Sequence, residues 1–503
     1  MVAPVLPSAR MSSSESPALL PPRISRRGLL VGAATGVAAA VVAACSDRLP
    51  SGSLASPSPA TSVASSADAS SAPSASVAAP SAAVSNGPSA SPAPTTSVTP
   101  TADRRILYRN GALTDARSDR LQVGVSILVD GGVIRWIRPA DDEAASGPAD
   151  GLEVVDASGT TFVPGMVDSH SHLTLPGGAH WIDRGFDAPA VAVGVAERNA
   201  ALEAASGVRW ARDVGSRTAV DPIDGRERGL AIGVRDRWRA SSARAYPYVR
   251  AAGSWIARPG ILPGDLAVEA RNADHLLALA NRQLDDGADF VKLYLDGPDR
   301  DISPWTRNEI KRVVDAVHAR GARVTAHSSR LVGARAGVAA GVDAIEHGFE
   351  LDTAVCADMA KRGTFVVSTL CVMASWQTFA RTTTLARFTT ADSQRATADR
   401  LERAIESIGL ARAAKVRIAA GMDFGGGSTR ANQMAWEVGL LVHAGLEPWE
   451  ALAAATWRGG ELLGEPAAGV IAEGTPADFF LVHGDPTTDP SALWRVWRVA
   501  WTD

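Results

Sequence analysis

Eight short apolar segments recur between residues 161 and 424, and many of them are separated by longer stretches with helical spacing. The apolar segments are residues 161–168, 207–214, 249–256, 289–296, 323–328, 343–348, 364–370 and 417–424. The helix-like stretches include residues 265–286, 303–320 and 391–414. Strands that alternate with helices form parallel sheets, and eight such units close into a barrel. The pattern predicts an α/β chain with a TIM-like (β/α)8 barrel over residues 161–464.

Both flanks of the predicted barrel contain further strand-like runs. These are residues 106–108, 126–130, 133–137 and 153–157 on the amino-terminal side, and 469–474 and 477–482 on the carboxyl-terminal side. Glycine pairs and other turn residues separate the runs. We expect residues 103–160 and 465–503 to form together one small β-sandwich domain.

Two histidines follow the first predicted barrel strand, in the stretch FVPGMVDSHSHL. Residues two apart on a strand lie on the same face, so His170 and His172 are predicted to point at one place in the barrel mouth. Histidine is a common metal ligand. An alternative for this short motif alone is a pair of polar loop histidines.

Other strand ends also contain metal-ligand residue types. His327 ends strand five, His347 lies near the end of strand six, and Asp423 lies near the end of strand eight. Lys292 lies in the middle of apolar strand four, where a lysine is costly unless it is paired or chemically altered. Because catalytic groups of such barrels gather at the carboxyl ends of the strands, these residues are predicted to form one metal centre. The alternative for the lysine is an ion pair with Asp289, Asp296 or Glu346.

The stretches VPGMVDSHSHL, FVKLYLDG, VTAHS, AIEHG, AAGMDFG and GVIAEGTPADFFLV resemble the amidohydrolase superfamily. The resemblance is closest to its imidazolonepropionase-like and Xaa-Pro dipeptidase-like branch. It implies two divalent metal ions, with His170, His172 and Asp423 on one, His327 and His347 on the other, and Lys292 bridging both as a carbamate formed with CO2. Imidazole and carboxylate ligands suit Zn²⁺, with Mn²⁺, Fe²⁺ or Co²⁺ as alternatives.

The resemblance also implies a mechanism, in which a hydroxide between the two metals attacks a carbonyl. Asp423 would act as general base and then as general acid toward the leaving amine. Tyr294 and His180 are candidates for substrate contact, the alternatives being a core tyrosine and a solvated histidine. Arg212 and Asp213, at the end of strand two, are interpreted as a structural ion pair at the barrel rim.

The expected reaction is hydrolysis of an amide bond in a small dipeptide, such as one with a carboxyl-terminal proline, or in an N-acyl amino acid. Alternatives are a cyclic amide or lactone hydrolase on the same centre, and a mononuclear heterocycle deaminase, which would not need Lys292. A binding scaffold without activity is disfavoured because all six ligand candidates are present. Residues 258–264, RPGILPG, lack the histidine of the Gly-Gly-His-Gly stretch that similar proteins often have after strand three. The resemblance therefore does not define the substrate pocket of this chain.

The amino-terminal hundred residues have the composition of a targeting segment and a tether. Twin arginines at Arg26 and Arg27 precede an uncharged apolar run that ends before Cys45. Residues 1–45 are predicted to be a twin-arginine signal peptide with a lipobox, lipidated at Cys45; a simply cleaved signal and a permanent membrane anchor are alternatives. Residues 46–102, almost all Ser, Ala, Pro, Thr and Val, are predicted to be a disordered linker. We therefore expect export and a lipid anchor at the cell membrane.

Composition limits the partners. The formal net charge is −4, which provides no basic field for nucleic acid, so a small-molecule or dipeptide substrate is expected. The sequence is compatible with a homo-oligomer.

Three cysteines are too few for a disulfide framework, and either free thiols or one bridge between Cys356 and Cys371 fits.

Overall fold

The computed structural model describes residues 104–142, 151–241 and 245–502, with the backbone alone at residue 502. The predicted signal peptide with Cys45 and the linker at 46–102 lie outside the described residues. Within the described part of the chain, no helix is both long enough and apolar enough to cross a membrane.

The strands and helices are numbered in chain order. The strands are β1 Arg105–Leu113, β2 Gln122–Asp130, β3 Val133–Pro139, β4 Leu152–Asp156, β5 Thr160–Pro164, β6 Met166–Ser171, β7 Val208–Asp213, β8 Thr218–Val220, β9 Glu227–Gly229, β10 Tyr248–Ala251, β11 Trp255–Ala257, β12 Ala267–Glu269, β13 Phe290–Tyr294, β14 Arg323–Ser328, β15 Ala344–His347, β16 Phe365–Ser368, β17 Arg417–Ala420, β18 Phe479–His483 and β19 Val496–Val499. The helices are α1 Trp181–Arg184, α2 Pro189–Ala205, α3 Leu230–Ala240, α4 Ala273–Asp285, α5 Arg307–Ala319, α6 Leu331–Ala340, α7 Thr353–Arg362, α8 Leu370–Thr382, α9 Ala386–Thr389, α10 Ala391–Ala413, α11 Met434–His443, α12 Pro448–Ala454 and α13 Trp457–Leu463.

Parallel strands form a closed barrel. One sheet has the order β10-β7-β6, and a second has the order β12-β11-β13-β14-β15-β16-β17. Single β-bridges join the two sheets, from Ala252 to Phe290 on one side and from Ser171 to Phe424 on the other. Going round, β6, β7, the pair β10 and β11, β13, β14, β15, β16 and β17 occupy eight positions. The eight-unit pattern of the sequence therefore corresponds to the observed barrel.

The third barrel position is interrupted, whereas the sequence predicted one run over 249–256. Strand β10 ends at Ala251 and β11 begins at Trp255. The side chain of Gln283, from α4, fills the space beside Gly253, where any Cβ would overlap its amide. Its Oε1 accepts from the Ser254 N–H at 2.7 Å. The break follows because a side-chain amide replaces the neighbouring strand as hydrogen-bond partner.

The chain enters the barrel later than the predicted boundary at residue 161. Strand β5 pairs antiparallel with β18 and touches β1, so it belongs to the flanking sheet. Of the two strands β5 and β6, only β6 lies in the barrel. The predicted run 161–168 joined these two strands, which separate at Gly165, where a Cβ would lie 2.5 Å from the Cβ of Arg209 and 3.0 Å from the Asp478 carbonyl oxygen.

The flanking domain is one curled sheet built from both ends of the barrel. Its order is β19-β18-β5-β1-β2-β3, with β4 also paired to β1. The edge strand β3 also contacts the segment just before β18, through a single bridge from Val133 to Pro476. The apolar core of this domain includes Ile127, Phe162 and Phe479. Residues 469–474 form no strand, so the prediction of a strand there is wrong.

Helix starts follow their capping residues. The predicted helix 265–286 begins only at Ala273, because Asn272 accepts from the His275 N–H at 2.9 Å and the preceding residues form β12. Helix α5 begins after Thr306, which forms a capping box with Glu309. Helix α10 ends within one residue of its predicted carboxyl-terminal limit.

The barrel is packed through its apolar strand residues. Leu293, Ile345 and Val366 are fully buried in one large core, and burial of each such side chain contributes about 1.5–3 kcal/mol.

Cys356 and Cys371 are both buried and free, which confirms the free-thiol alternative.

Candidate metal centre

The six predicted metal ligands line one cavity in the barrel mouth. The cavity has a volume of about 360 Å³, counting its opening to solvent. These lining residues are His170, His172, Lys292, His327, His347 and Asp423. All six side chains are buried. Residues that lie as far as 253 positions apart in the sequence thus meet at the carboxyl ends of the strands.

His170, His172 and Asp423 form a cluster that can hold a metal ion, since one ligand atom from each lies within 4.8 Å of the others. The Nε2 atoms of His170 and His172 lie 3.5 and 3.2 Å from Asp423 Oδ1. Their Nδ1 atoms face acceptors on the other side, Glu346 Oε2 at 2.7 Å and the Gly215 carbonyl at 2.7 Å. Because those oxygens accept, both Nδ1 atoms carry the proton, and both Nε2 atoms are left for the metal.

His327 and His347 lie beside this cluster. Their ring centroids are 4.5 Å apart, and the His347 ring lies 4.7 Å from that of His170. His327 Nε2 donates to Asp296 Oδ2 at 3.2 Å, and His347 Nδ1 is 2.8 Å from Thr369 Oγ1. Beyond these contacts, His327 Nδ1 and His347 Nε2 remain as candidate metal-binding nitrogens.

Two of the candidate ligands have left-handed backbone conformations. The φ angle is +71° at His347 and +47° at Asp423. Such angles are uncommon for residues other than glycine and cost of order 1–3 kcal/mol each. The surrounding structure therefore holds these side chains in orientations that regular strand geometry does not provide.

Burial and positive charge lower the pKa of three histidines of the centre, His170, His327 and His347. Burial, followed by the charge of Lys292, lowers the pKa of His170 to about 4. Burial also lowers the pKa of His327, and it lowers that of His347 well below its usual range. Burial opposes ionisation of Asp423, but the nearby His170 and His172 lower its pKa overall. Neutral imidazoles and an ionised carboxylate are the protonation states in which these groups bind metals.

A protein-family model described as "Amidohydrolase family" matches residues 161–500. The chain belongs to the amidohydrolase family. It is thus a metal-dependent enzyme that acts on carbon–nitrogen bonds, and His170, His172 and Asp423 form its divalent-metal site.

One relative is similar to this chain in sequence, and two solved structures are similar to it in fold. An uncharacterized protein of Mycobacterium bovis is 30% identical over 383 residues, which cover 75% of this chain and 93% of the relative. The fold is similar to that of a Xaa-Pro dipeptidase with bound methionine, with a TM-score of 0.66, 24% identity, and coverage of 78% of this chain and 97% of the other. A prolidase complexed with N-methylphosphonate-L-proline has a TM-score of 0.65 at 21% identity, with coverage of 78% and 97%.

One residue of the amidohydrolase centre was not predicted from the sequence as part of the site. Glu346 is fully buried on β15. Besides the imidazole of His170, it accepts from Arg212 Nη1 at 2.8 Å and from the Thr325 hydroxyl. Strand alternation places neighbouring residues on opposite faces, yet Glu346 and His347 both contact His170. The positive φ of His347 explains why the sequence pattern missed this.

The interpretation of Arg212 and Asp213 as an ion pair with each other is wrong. The Arg212 guanidinium pairs with Glu346, as described above. The Asp213 carboxylate instead accepts from the Leu173 N–H at 2.7 Å and the Gly215 N–H at 3.0 Å. It thereby holds the turn that follows His172.

The two candidates for substrate contact lie in different surroundings. Tyr294 lines the cavity and stacks on His327, with ring centroids 3.9 Å apart and an interplanar angle of 9°. His180 has 61% of its side chain exposed and contacts Asp183 at 3.0 Å. The structure does not bring His180 to the cavity lining, because its loop points it outward before α1.

Proposed function

We propose that this amidohydrolase holds two divalent metal ions and cleaves the amide bond of a small dipeptide or N-acyl amino acid. The observation that carries the proposal is the convergence of all six candidate ligands on one cavity. His170, His172 and Asp423 would hold the first ion, and His327 and His347 the second, with Lys292 bridging both as a carbamate. When bound, the ions supply an activated water and polarise the scissile carbonyl.

The surroundings of Lys292 support a bridging role. The side chain is 1% exposed, and its positive charge lowers the pKa of His170, His327, His347 and Asp423. It is therefore close to ligands of both proposed ions. An ammonium there would repel metal ions, whereas a carbamate replaces the cation with an anion that two metal charges stabilise.

Asp423 is the proposed proton carrier. Its pKa is held below the usual range, so the carboxylate is ionised at neutral pH and can accept a proton from the attacking water. It then donates this proton to the leaving nitrogen, as general base and then general acid. Tyr294 lies in the same cavity and is proposed to orient the substrate.

The choice of substrate rests on the relatives. The similarity of fold to a Xaa-Pro dipeptidase and a prolidase supports a dipeptide or N-acyl amino acid. A cyclic amide or lactone hydrolase on the same two ions is the alternative for the substrate. A heterocycle deaminase is the alternative for the metal centre. It would hold one ion per chain, whereas the proposed hydrolase holds two.

Metal content and activity of a Lys292→Ala variant test the proposal. We expect two ions per chain in the wild-type protein prepared with bicarbonate, and at most one in the variant. Hydrolysis of a panel of dipeptides and N-acyl amino acids should be lost, with partial rescue by added short carboxylates. Lys311→Ala is the matched control, because Lys311 is exposed on α5 and pairs only with Asp315 among the salt bridges of the described chain. Full activity in Lys292→Ala rules out the bridging role, and one ion per wild-type chain favours the deaminase.

We also propose that the enzyme is exported and anchored to the cell membrane through a lipid on Cys45. The proposal rests on the amino-terminal sequence alone. Cys45→Ser should move the enzyme from the membrane fraction to the soluble fraction. Unchanged membrane association of this variant would contradict the lipid anchor.

A further inference from the structure

The metal cavity has an apolar wall. Four of its lining residues, Trp181, Trp255, Leu262 and Leu266, are large and apolar, and we call them the apolar wall. Trp181 begins α1 after β6, Trp255 begins β11, and the two leucines lie in the loop between β11 and β12. Loops that follow two different barrel positions therefore build the wall together.

The wall is fixed by its own packing. Trp181, Trp255 and Leu266 belong to one buried cluster that also includes Leu175 and Ile261, and Leu262 packs against this cluster. The Trp255 ring lies 4.9 Å from the ring of His172. A substrate group that contacts the wall is thus next to a metal ligand, and so close to the scissile bond.

The described cavity lining provides no cation for a substrate carboxylate other than the metal centre itself. Lys292 is the one Lys or Arg among the described residues that line the cavity, and the proposed carbamate removes its positive charge. Three arginines on neighbouring loops have guanidinium groups that donate to backbone carbonyls. These are Arg258, Arg387 and Arg430, which donate to the carbonyls of Pro304, Ala179 and Pro176, respectively.

On the basis of the proposed amide hydrolysis at this centre, we propose that the apolar wall binds an uncharged aryl or branched alkyl group beside the scissile bond. A carboxylate is disfavoured at that position, because burying it against the wall removes its hydration and supplies no cation to pair with it. The loop residues 258–264 carry this specificity, since Leu262 occupies the rim of the wall. The preferred dipeptide or N-acyl amino acid therefore places a large apolar side chain there.

Two hydroxamates of the same shape test this assignment by binding rather than by turnover. In 4-methylpentanohydroxamic acid the chain ends in an isopropyl group, and in the monohydroxamate of succinic acid a carboxylate takes its place. Both are titrated calorimetrically into the metal-loaded, full-length enzyme. We expect the wild-type enzyme to bind the isopropyl compound about 100-fold more tightly.

Substitution of Leu262 locates the effect. Leu262 is half-buried in a loop, so the longer Leu262→Arg side chain can place a cation at the rim. This variant should reduce the affinity ratio at least about tenfold by strengthening binding of the carboxylate compound. Leu262→Met, which keeps the wall apolar, should preserve the ratio.

The outcomes separate this proposal from the proposed function. Equal affinity of the wild-type enzyme for both hydroxamates, or no binding of either, overturns the apolar specificity and does not depend on how any variant folds. An unchanged ratio in folded Leu262→Arg overturns the role of residues 258–264. The metal-loaded enzyme could instead bind the isopropyl hydroxamate tightly and selectively but hydrolyse no amide. That result contradicts the proposed reaction and still supports the apolar specificity of the wall.

Discussion

Glu346 connects the metal ligand His170 to the buried Arg212. Replacing Glu346 with glutamine should therefore change both the stability of the protein and its affinity for metal. The Glu346→Gln side chain keeps the shape but loses the negative charge. Arg212, whose side chain is only 6% exposed, is then left without its anionic partner. Removing one partner of a buried ion pair typically costs about 3–5 kcal/mol. The imidazole of His170 also loses a charged acceptor, and loss of such a partner lowers metal affinity about 10- to 100-fold.

Two measurements separate these effects. Denaturant unfolding of the chelator-treated protein reports the loss of stability, and competition with a chromophoric chelator reports metal affinity. Glu437→Gln is the matched control. Glu437 is equally buried and accepts from Ser368 Oγ and the Cys371 N–H, but no salt bridge joins it to another residue in the described ranges. Glu437→Gln should lose less stability than Glu346→Gln, and it should leave metal affinity unchanged.

A double variant sharpens the test. Arg212→Met combined with Glu346→Leu removes both buried charges, and such replacements are often neutral or stabilising. We expect it to recover most of the stability but not the metal affinity, because His170 still lacks its acceptor. The reasoning is refuted if Glu346→Gln costs less than about 1 kcal/mol, the net value of an ordinary hydrogen bond, and binds metal as the wild type does.

Two further predictions concern the surroundings of His170. Gly421→Ala should lower metal affinity at least about tenfold, the scale seen when the support of a ligand is lost, because a Cβ there would lie 2.7 Å from the His170 nitrogen and closer still to its Cβ. Chelator competition measures this, with Gly439→Ala, which meets nothing within 4 Å, as the control expected to bind metal normally; equal affinity in both variants would contradict the close-packing argument. In the metal-free protein, the pKa of His170 is about 4 when folded and about 6.5 when unfolded, so the unfolded state binds more protons between these values. Stability should therefore fall by up to about 3 kcal/mol as the pH drops from about 6.5 to about 4. Urea unfolding at pH 7 and pH 5 should show a smaller drop in His170→Asn, and an identical drop in both proteins would refute the assignment. Asp213, whose pKa burial raises to about 6, acts in the opposite direction in both proteins and cancels in the comparison.

Much of the candidate centre was predictable because its candidate ligands lie at or near the ends of strands. His170 and His172 are two apart at the end of β6, and the end of a parallel strand in a barrel faces the mouth. The same rule places His327 and His347, and Asp423 follows the last strand. In these cases local spacing and the barrel geometry together suffice, so no long-range contact had to be known.

Other features depended on contacts that local spacing does not contain. The boundary between β5 and β6 is set by the close approach of Gly165 to Arg209 and Asp478. The position of Glu346 depends on a left-handed residue beside it. The outward position of His180 depends on how its loop leaves the barrel.

The sequence by itself determined the barrel and the metal-binding residues His170, His172 and Asp423, because strand periodicity and ligand type are properties of short segments. Only the tertiary structure decided which groups hold those ligands and what lines the rest of the cavity. Glu346 lies 176 residues from His170, and the apolar wall joins loops from two barrel positions. Such contacts arise from the packing of distant segments, which the period of any one segment cannot specify.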